Sequence, residues 1–456
     1  MQASFALLEK YSKPGPRYTS YPTAPYFSDA FNEAAWHEEL LRSQASGRDL
    51  SLYVHIPFCD SLCYYCGCNM VATQDYAKAS AYLNVLSDEI ERIGELAGAA
   101  RVVRQIHWGG GTPTYLNPAD IVRLAQHLRS HFLIADDAEI GCEVDPRELS
   151  RQHVSALQQA GFNRISLGVQ DLDQRVQVAV NRVQPPALIR QVYDWMREDG
   201  FSSINMDLMV GLPHQTPASF AATLDEILAM APDRLAVFGY AHVPWLKKHQ
   251  KLINEPDLPD FATRVQLQQL IQERLAGAGY VYIGMDHFAR PDDELVRAQH
   301  NKTLWRNFQG YTTHRDCDIL AFGASAISQT DEAYAQNHKR LADYQHSVGA
   351  GHLPIERGLR ITRDDKIRRD AITRLMCDLE LDKAAFSQAW AVDFDTYFAD
   401  SLAALAELAG DGLVEVTPDA VRVPDAGRIF LRNIAMAFDA YLQQAATETP
   451  RYSRTV

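Results

Sequence analysis

Between residues 50 and 290 the chain alternates two hydrophobic rhythms. Short apolar runs, several with polar residues at every second position, fall at 52–56, 105–108, 139–144, 165–169, 204–210 and 235–240. Longer amphipathic stretches lie between them, at 77–96, 119–132, 150–160, 188–198 and 218–230. A period of two puts successive side chains on opposite faces of a strand, and a period near 3.6 gives a helix one apolar stripe. Six such units in a row predict an α/β fold with a parallel sheet, rolled into a whole or partial (β/α) barrel. A further helix pattern at 263–277 leads into a seventh strand-like run at 280–287.

From about residue 360 the rhythm changes. Helices are predicted at 364–376, 383–390 and 394–408, short strands at 413–416 and 421–423, and a last helix at 428–441. Three helices and a hairpin predict a small, mostly helical, winged-helix-like module. Its acidic helices point to a packing role rather than to DNA. At the other end, YSKPGPRYTSYPTA at 11–24 holds three prolines and three tyrosines around Arg17. Such a stretch predicts an ordered extended arm rather than a helix. The expected domains are an arm over 1–49, a barrel with its extension over 50–357, and a helical module over 358–456.

Composition narrows the partners. The 456 residues carry a net charge of −14, and no stretch gathers Lys and Arg, so nucleic acid is not expected. No apolar run is long enough to span a membrane. The N-terminus lacks a basic segment, an apolar core and a cleavage site, so the expected location is the cytoplasm. Seven cysteines, three of them scattered (Cys142, Cys317, Cys377), do not form a disulfide framework. Nothing in the pattern demands an oligomer, and a monomer is expected.

The other four cysteines fall within SLYVHIPFCDSLCYYCGCN at 51–69, on a loop leaving the first predicted strand. Cys59, Cys63 and Cys66 have the spacing C-x3-C-x2-C. Thiolates this dense indicate soft-metal chemistry. Three ligands on an iron–sulfur cubane leave one iron open, as a catalytic metal requires. A zinc knuckle using all four sulfurs is the competing reading, and Cys66-Gly67-Cys68 would then have to chelate across one residue.

With Tyr65 before its third cysteine, this loop resembles that of the radical S-adenosylmethionine (SAM) enzymes. The segments HIPFC, HWGGGTPTYL and KPGPRYTSYPT more specifically resemble the oxygen-independent coproporphyrinogen III oxidases, from about Arg17 to the C-terminal helix. The resemblance implies a partial (β/α)6 radical SAM barrel with a [4Fe–4S] cluster on Cys59, Cys63 and Cys66, and SAM chelating the open iron. It further implies SAM contacts from Tyr53, the Tyr65 carbonyl, Gly110, Gly111, Thr112, Glu143, Gln170, Arg182 and Asp207. A second SAM would meet Ala241 and Ile327, with Gln309 nearby. In the family the N-terminal arm over 1–49 helps close the active site, which makes Arg17 a candidate partner for a substrate carboxylate. Arg290 is a second candidate, and His287 is a candidate proton donor, with a packing histidine as the competing reading. Cys68 receives no role. Relatives often carry lysine where Met70 stands, so that charge would have to come from elsewhere.

The activity implied is oxidative decarboxylation of two propionates of coproporphyrinogen III to vinyl groups, giving protoporphyrinogen IX. It would run through a 5′-deoxyadenosyl radical and need an electron donor for the cluster. A haem-binding chaperone or a haem-modifying radical SAM enzyme is the alternative, and the PGPRYTSYPT arm argues against the chaperone.

Overall fold

The computed structural model describes residues 4–98, 100–444 and 452–455. The chain divides into two compact units, one formed by Phe27–Pro259 with Asp316–Arg360, the other by Met1–Tyr26, Asp260–Arg315 and Ile361–Val456.

In the first unit six strands appear where the alternation predicts them. They are β1 (Leu50–Ile56), β2 (Val102–Gly110), β3 (Leu133–Val144), β4 (Arg164–Gln170), β5 (Ser203–Val210) and β6 (Arg234–Gly239). Neighbours in this series pair in parallel, making a partial barrel. The chain later returns through β7 (Asp318–Phe322), β8 (Ile327–Gln329), β9 (Ala333–Asn337) and β10 (Ile355–Arg360). Strand β7 pairs in parallel with the free side of β1, and β8–β10 continue antiparallel. At the base of that junction Asp318, 1 % exposed, meets Arg101 at 2.7 Å and Ser43 at 2.6 Å.

The crossover helices start where capping residues allow. Asn117 accepts from the Asp120 N–H ahead of Pro118–His131, and Ser150 and Thr216 form capping boxes ahead of Arg151–Gln159 and Pro217–Met230. The helix Glu33–Ser46 is not anticipated by the sequence pattern. Its buried stripe mixes Trp36 and Leu40 with Glu39 and Ser43, which blurs the apolar period.

Alternate residues of the barrel strands have opposite characters. Leu52, Val54, Ile56, Trp108, Cys142, Leu167, Val169, Met206 and Leu208 are at most 4 % exposed. The intervening Tyr53, His107, Glu143, Ser166 and Asp207 are half-buried and polar. The pairing register places Tyr53 against His107, Glu143 against Ser166, and Gly168 against Asp207. One face packs as core, and the other gathers polar groups.

In the second unit the single run expected at 280–287 is instead a tight hairpin, Val281–Gly284 paired antiparallel with His287–Ala289. Gly284 and Met285 turn the chain there at positive φ. The helix expected at 394–408 is broken into Phe394–Tyr397, Ala399–Ala404 and Ala406–Gly410. The C-terminal region is helical around a three-stranded sheet, Glu380–Asp382, Ala420–Arg422 and Glu415–Val416 in that order. Phe386, Phe394, Phe398, Phe430 and Phe438 share its core with Leu8 and Tyr11 from the N-terminal helix Phe5–Tyr11. Beyond that helix the arm is extended, and Arg432 collars it by donating to the carbonyls of Gly15 and Pro16. Arg17 is paired with Asp286, and Arg290 lies 3.6 Å from Asp292. The His287 ring stands edge-on to Tyr311.

Candidate radical SAM site

Pro57 ends β1, and the cysteine loop follows at the C-terminal rim of the sheet, where strand-end loops carry chemistry in barrels of this kind. The loop's backbone is held from several sides. Tyr64 N–H donates to the Val180 carbonyl at 3.0 Å, and Asn181 Nδ2 donates to the Leu62 carbonyl at 2.8 Å. Gln250 Nε2 reaches the Tyr65 carbonyl at 3.0 Å, His249 Nε2 is 2.7 Å from the Cys66 carbonyl, and Lys247 Nζ donates to the Cys68 carbonyl at 2.9 Å. Nothing in the local pattern around 247–250 marks these as partners of a loop so far upstream.

The sulfurs are met by hydrogen-bond donors. Thr112 Oγ1 is 3.3 Å from Cys59 Sγ. Arg147 and Arg182 aim guanidinium nitrogens at Cys63 Sγ from 3.4 and 3.5 Å. Cys68 hydrogen-bonds Cys66, which brings the Cys66 thiol down to about 6 against burial. Burial pushes Cys59 up to about 12, with Thr112 opposing. Thiolates flanked by such donors fit a cluster, whose charge and reducibility depend on hydrogen bonds to sulfur. Among the described residues no three His, Cys, Asp or Glu side chains converge on a single ion. A cubane instead asks its three thiolates to hold three different irons. All seven cysteines are free.

The glycine run closes against the same loop. Gly111 and Thr112 N–H donate to the carbonyls of Ile56 and Phe58, each at 2.8 Å. A Cβ on Gly111 would stand 2.8 Å from the Phe58 carbonyl oxygen, so only glycine fits so close to backbone. At Gly109 a Cβ would meet the Glu143 carboxyl at 2.9 Å, and Gly110 has φ +117°. Glu143 accepts from Gly110 N–H at 3.2 Å and lies 3.4 Å from His107 Nε2. Burial alone would raise its pKa, but His107 and the Gly110 N–H outweigh that and lower it.

The alternative pairing of Glu143 with Arg147 does not form. Arg147 forks onto Asp145, with Nη2 at 2.7 Å, and Arg182 joins at 2.8 Å. Burial opposes ionisation of Asp145, yet the two guanidiniums hold its pKa at about 2. Arg182 also donates to the Gly168 carbonyl at 2.6 Å, and its buried Nε has no partner. Gln170 sits at φ +67° with a buried Oε1 that lacks a donor. Asp207 accepts from Ser166 and Asn205, both at 2.7 Å, while burial pushes it up to about 6. Tyr53 Oη is 3.1 Å from His55 Nδ1, and its ring stacks along His107. Ala241 presents its carbonyl to Gln250, and Ile327 is half-buried on β8. Gln309, in the other unit, likewise has a buried, unpartnered Oε1. Besides Lys247, His249 and Gln250, sequence reasoning also passes over His55 and His107. Their signal was their spacing, two residues from Tyr53 and from Gly109.

A parallel partial barrel with a C-x3-C-x2-C loop at its C-terminal rim defines the radical SAM class, and residues 53–227 match the family model of the radical SAM superfamily. Residues 361–430 match the HemN C-terminal domain. Relatives from Salmonella typhimurium and Escherichia coli K12, both named oxygen-independent coproporphyrinogen III oxidase, are 49 % identical over 451 residues, 99 % of this chain and 98 % of each relative. A solved structure of Escherichia coli coproporphyrinogen III oxidase (HemN), described as a radical SAM enzyme, is similar with a TM-score of 0.92 at 48 % identity, covering 97 % of this chain and 99 % of that one. The chain belongs to the family of oxygen-independent coproporphyrinogen III oxidases. Its cofactors are accordingly a [4Fe–4S] cluster and SAM.

Proposed function

We propose that this protein converts two propionate side chains of coproporphyrinogen III to vinyl groups without oxygen, giving protoporphyrinogen IX in haem biosynthesis. Full-length similarity to oxidases of that name carries the reading, together with the donor-ringed cysteine loop. Each conversion removes a hydrogen atom from the propionate β-carbon, then carbon dioxide and one electron, which passes to a one-electron acceptor. No amino-acid side chain can take a hydrogen atom from an unactivated carbon, so that step belongs to cofactors. When bound, the cluster and SAM supply a 5′-deoxyadenosyl radical.

The chain's own residues bind, orient and shield. Cys59, Cys63 and Cys66 hold the cluster. Gly110, Gly111 and Thr112 line the SAM amino group, with Glu143 fixed beside them by the Gly110 N–H. Arg182 faces the methionine carboxylate with its spare Nε, Gln170 offers its unpartnered carbonyl oxygen, and Asp207 accepts from ribose hydroxyls. Tyr53 and the Tyr65 carbonyl complete the contact. Ala241 and Ile327 contact a second SAM. The protein acts as a monomer in the reducing cytoplasm, a setting its seven free cysteines suit. It has no nucleic-acid partner, in keeping with a net charge of −14. No helix among the described residues is long and apolar enough to cross a membrane.

Anaerobically reconstituted protein is assayed for iron and sulfide, then given SAM, dithionite and coproporphyrinogen III. The divinyl product should appear with methionine and 5′-deoxyadenosine. Cluster-loaded protein that forms no divinyl product refutes the reading.

A further inference from the structure

The segment 244–252, PWLKKHQKL, runs against the grain of an acidic chain. It carries Lys247, Lys248 and Lys251 and no carboxylate. Trp245, Leu246 and Leu252 are 55, 62 and 58 % exposed, and Lys248 and Lys251 are exposed beside them. Buried Gln250 anchors the segment, accepting from Val243 N–H at 2.6 Å while its amide reaches the Tyr65 carbonyl. Lys247 and His249 meet the carbonyls of Cys68 and Cys66. On the other side of the same turn, Asn69 Nδ2 donates to the carbonyl of exposed Lys339, which is followed by exposed Arg340. A basic, apolar-tipped collar is thus hydrogen-bonded directly to the cluster loop. The carboxylates close by are Asp343, 3.6 Å from the Arg340 guanidinium, Glu356, which accepts from Lys339 N–H, and Glu255 and Asp257, which follow in sequence, so the unopposed charge of the collar is that of Lys248 and Lys251.

We propose that this collar is the docking surface for a small acidic carrier protein that reduces the cluster. The inference rests on reading the cysteine loop as a cluster site. One electron leaves the reduced carrier and enters the oxidised cluster, so the carrier is oxidised by one electron and the cluster reduced by one. Exposed lysines steer an acidic partner onto the loop, and Trp245 with Leu246 supplies the apolar centre that interfaces require. The Gln250 and His249 hydrogen bonds give the electron a short route to Cys66.

The test uses full-length reconstituted protein and a low-potential acidic flavodoxin as probe. Two readouts are needed: binding of oxidised flavodoxin at low and high salt, and the rate of cluster bleaching by reduced flavodoxin or by dithionite. Wild-type binding should weaken as salt rises. K248E/K251E should weaken it and slow flavodoxin-driven bleaching by about tenfold or more, with dithionite bleaching unchanged. W245S should speed dissociation. Failure of wild type to bind, unchanged binding and rate in K248E/K251E, equal slowing with dithionite, or a raised KM for the porphyrinogen alone would each overturn the proposal. Absence of divinyl product under dithionite would count against the oxidase reading, while the binding data still decide the docking surface.

Discussion

The Thr112 hydroxyl oxygen lies 3.3 Å from Cys59 Sγ, so the turn that ends β2 and the first sulfur of the C-x3-C-x2-C loop share a hydrogen bond. A donor on a thiolate favours the more negative, reduced cluster. Thr112→Val removes the donor and keeps the shape. The cluster potential should fall by about 60 mV, taking one charge-assisted bond as about 1.4 kcal/mol. Redox titration followed by EPR measures it, and an unchanged potential would show that the hydroxyl serves packing only.

Arg182 spends its two terminal nitrogens on Asp145 and Gly168, and its buried Nε has no partner. Lysine keeps the charge but cannot make that fork. Arg182→Lys should weaken SAM binding roughly tenfold, about 1.4 kcal/mol. Equilibrium dialysis of the cluster-loaded protein checks it, with circular dichroism confirming an intact fold.

Two neighbouring glycines should respond differently to alanine. At Gly111 the new methyl meets backbone of Pro57 and Phe58, which cannot swing aside. Gly111→Ala should lower stability by about 1–3 kcal/mol in denaturant unfolding. At Gly109 it meets the end of the Glu143 side chain, which can move. Gly109→Ala should keep stability and the cluster while weakening SAM binding.

Glu89 is fully buried, and burial pushes its pKa from 4.5 up to about 7 despite bonds from Tyr344, Gly323 N–H and Asn337. A raised carboxyl pKa means the folded state holds a proton that the unfolded chain has already released. The stabilisation is therefore present below about 4.5 and lost as pH rises to about 7, a change on the order of 3 kcal/mol. Glu89→Gln should flatten that slope, whatever it does to stability at any one pH. Asp207, raised in the same sense, leaves a smaller residual slope. Urea unfolding of wild type and variant from pH 4.5 to 8 reads the difference.

The strands were legible because their alternation is local. Leu52, Val54 and Ile56 advertise a buried face within five residues. The hairpin at Val281–Ala289 was not, since Gly284 and Met285 reverse the chain without interrupting its apolar run. The helix expected at 394–408 reads as continuous by periodicity, but breaks twice, with Phe394 and Phe398 packed around Phe386. Within the site, the cysteine loop and glycine run announce themselves by spacing. The preference of Arg147 for Asp145 over Glu143, and the reach of Gln250 to Tyr65, depend on how loops fold over the strand ends.

Strand β1, which delivers the cysteine loop, has β2 on one side and β7 on the other. The second of these is synthesised only after every other strand of the parallel series. A ribosome-bound chain that has not yet emerged past Phe322 therefore carries the strand leading into the cysteine loop with one row of peptide groups unpaired. Such a row is an invitation to pair with the wrong chain. Cluster insertion before that strand arrives would load iron onto an unfinished scaffold, so maturation of the cofactor is best placed after Phe322 has emerged.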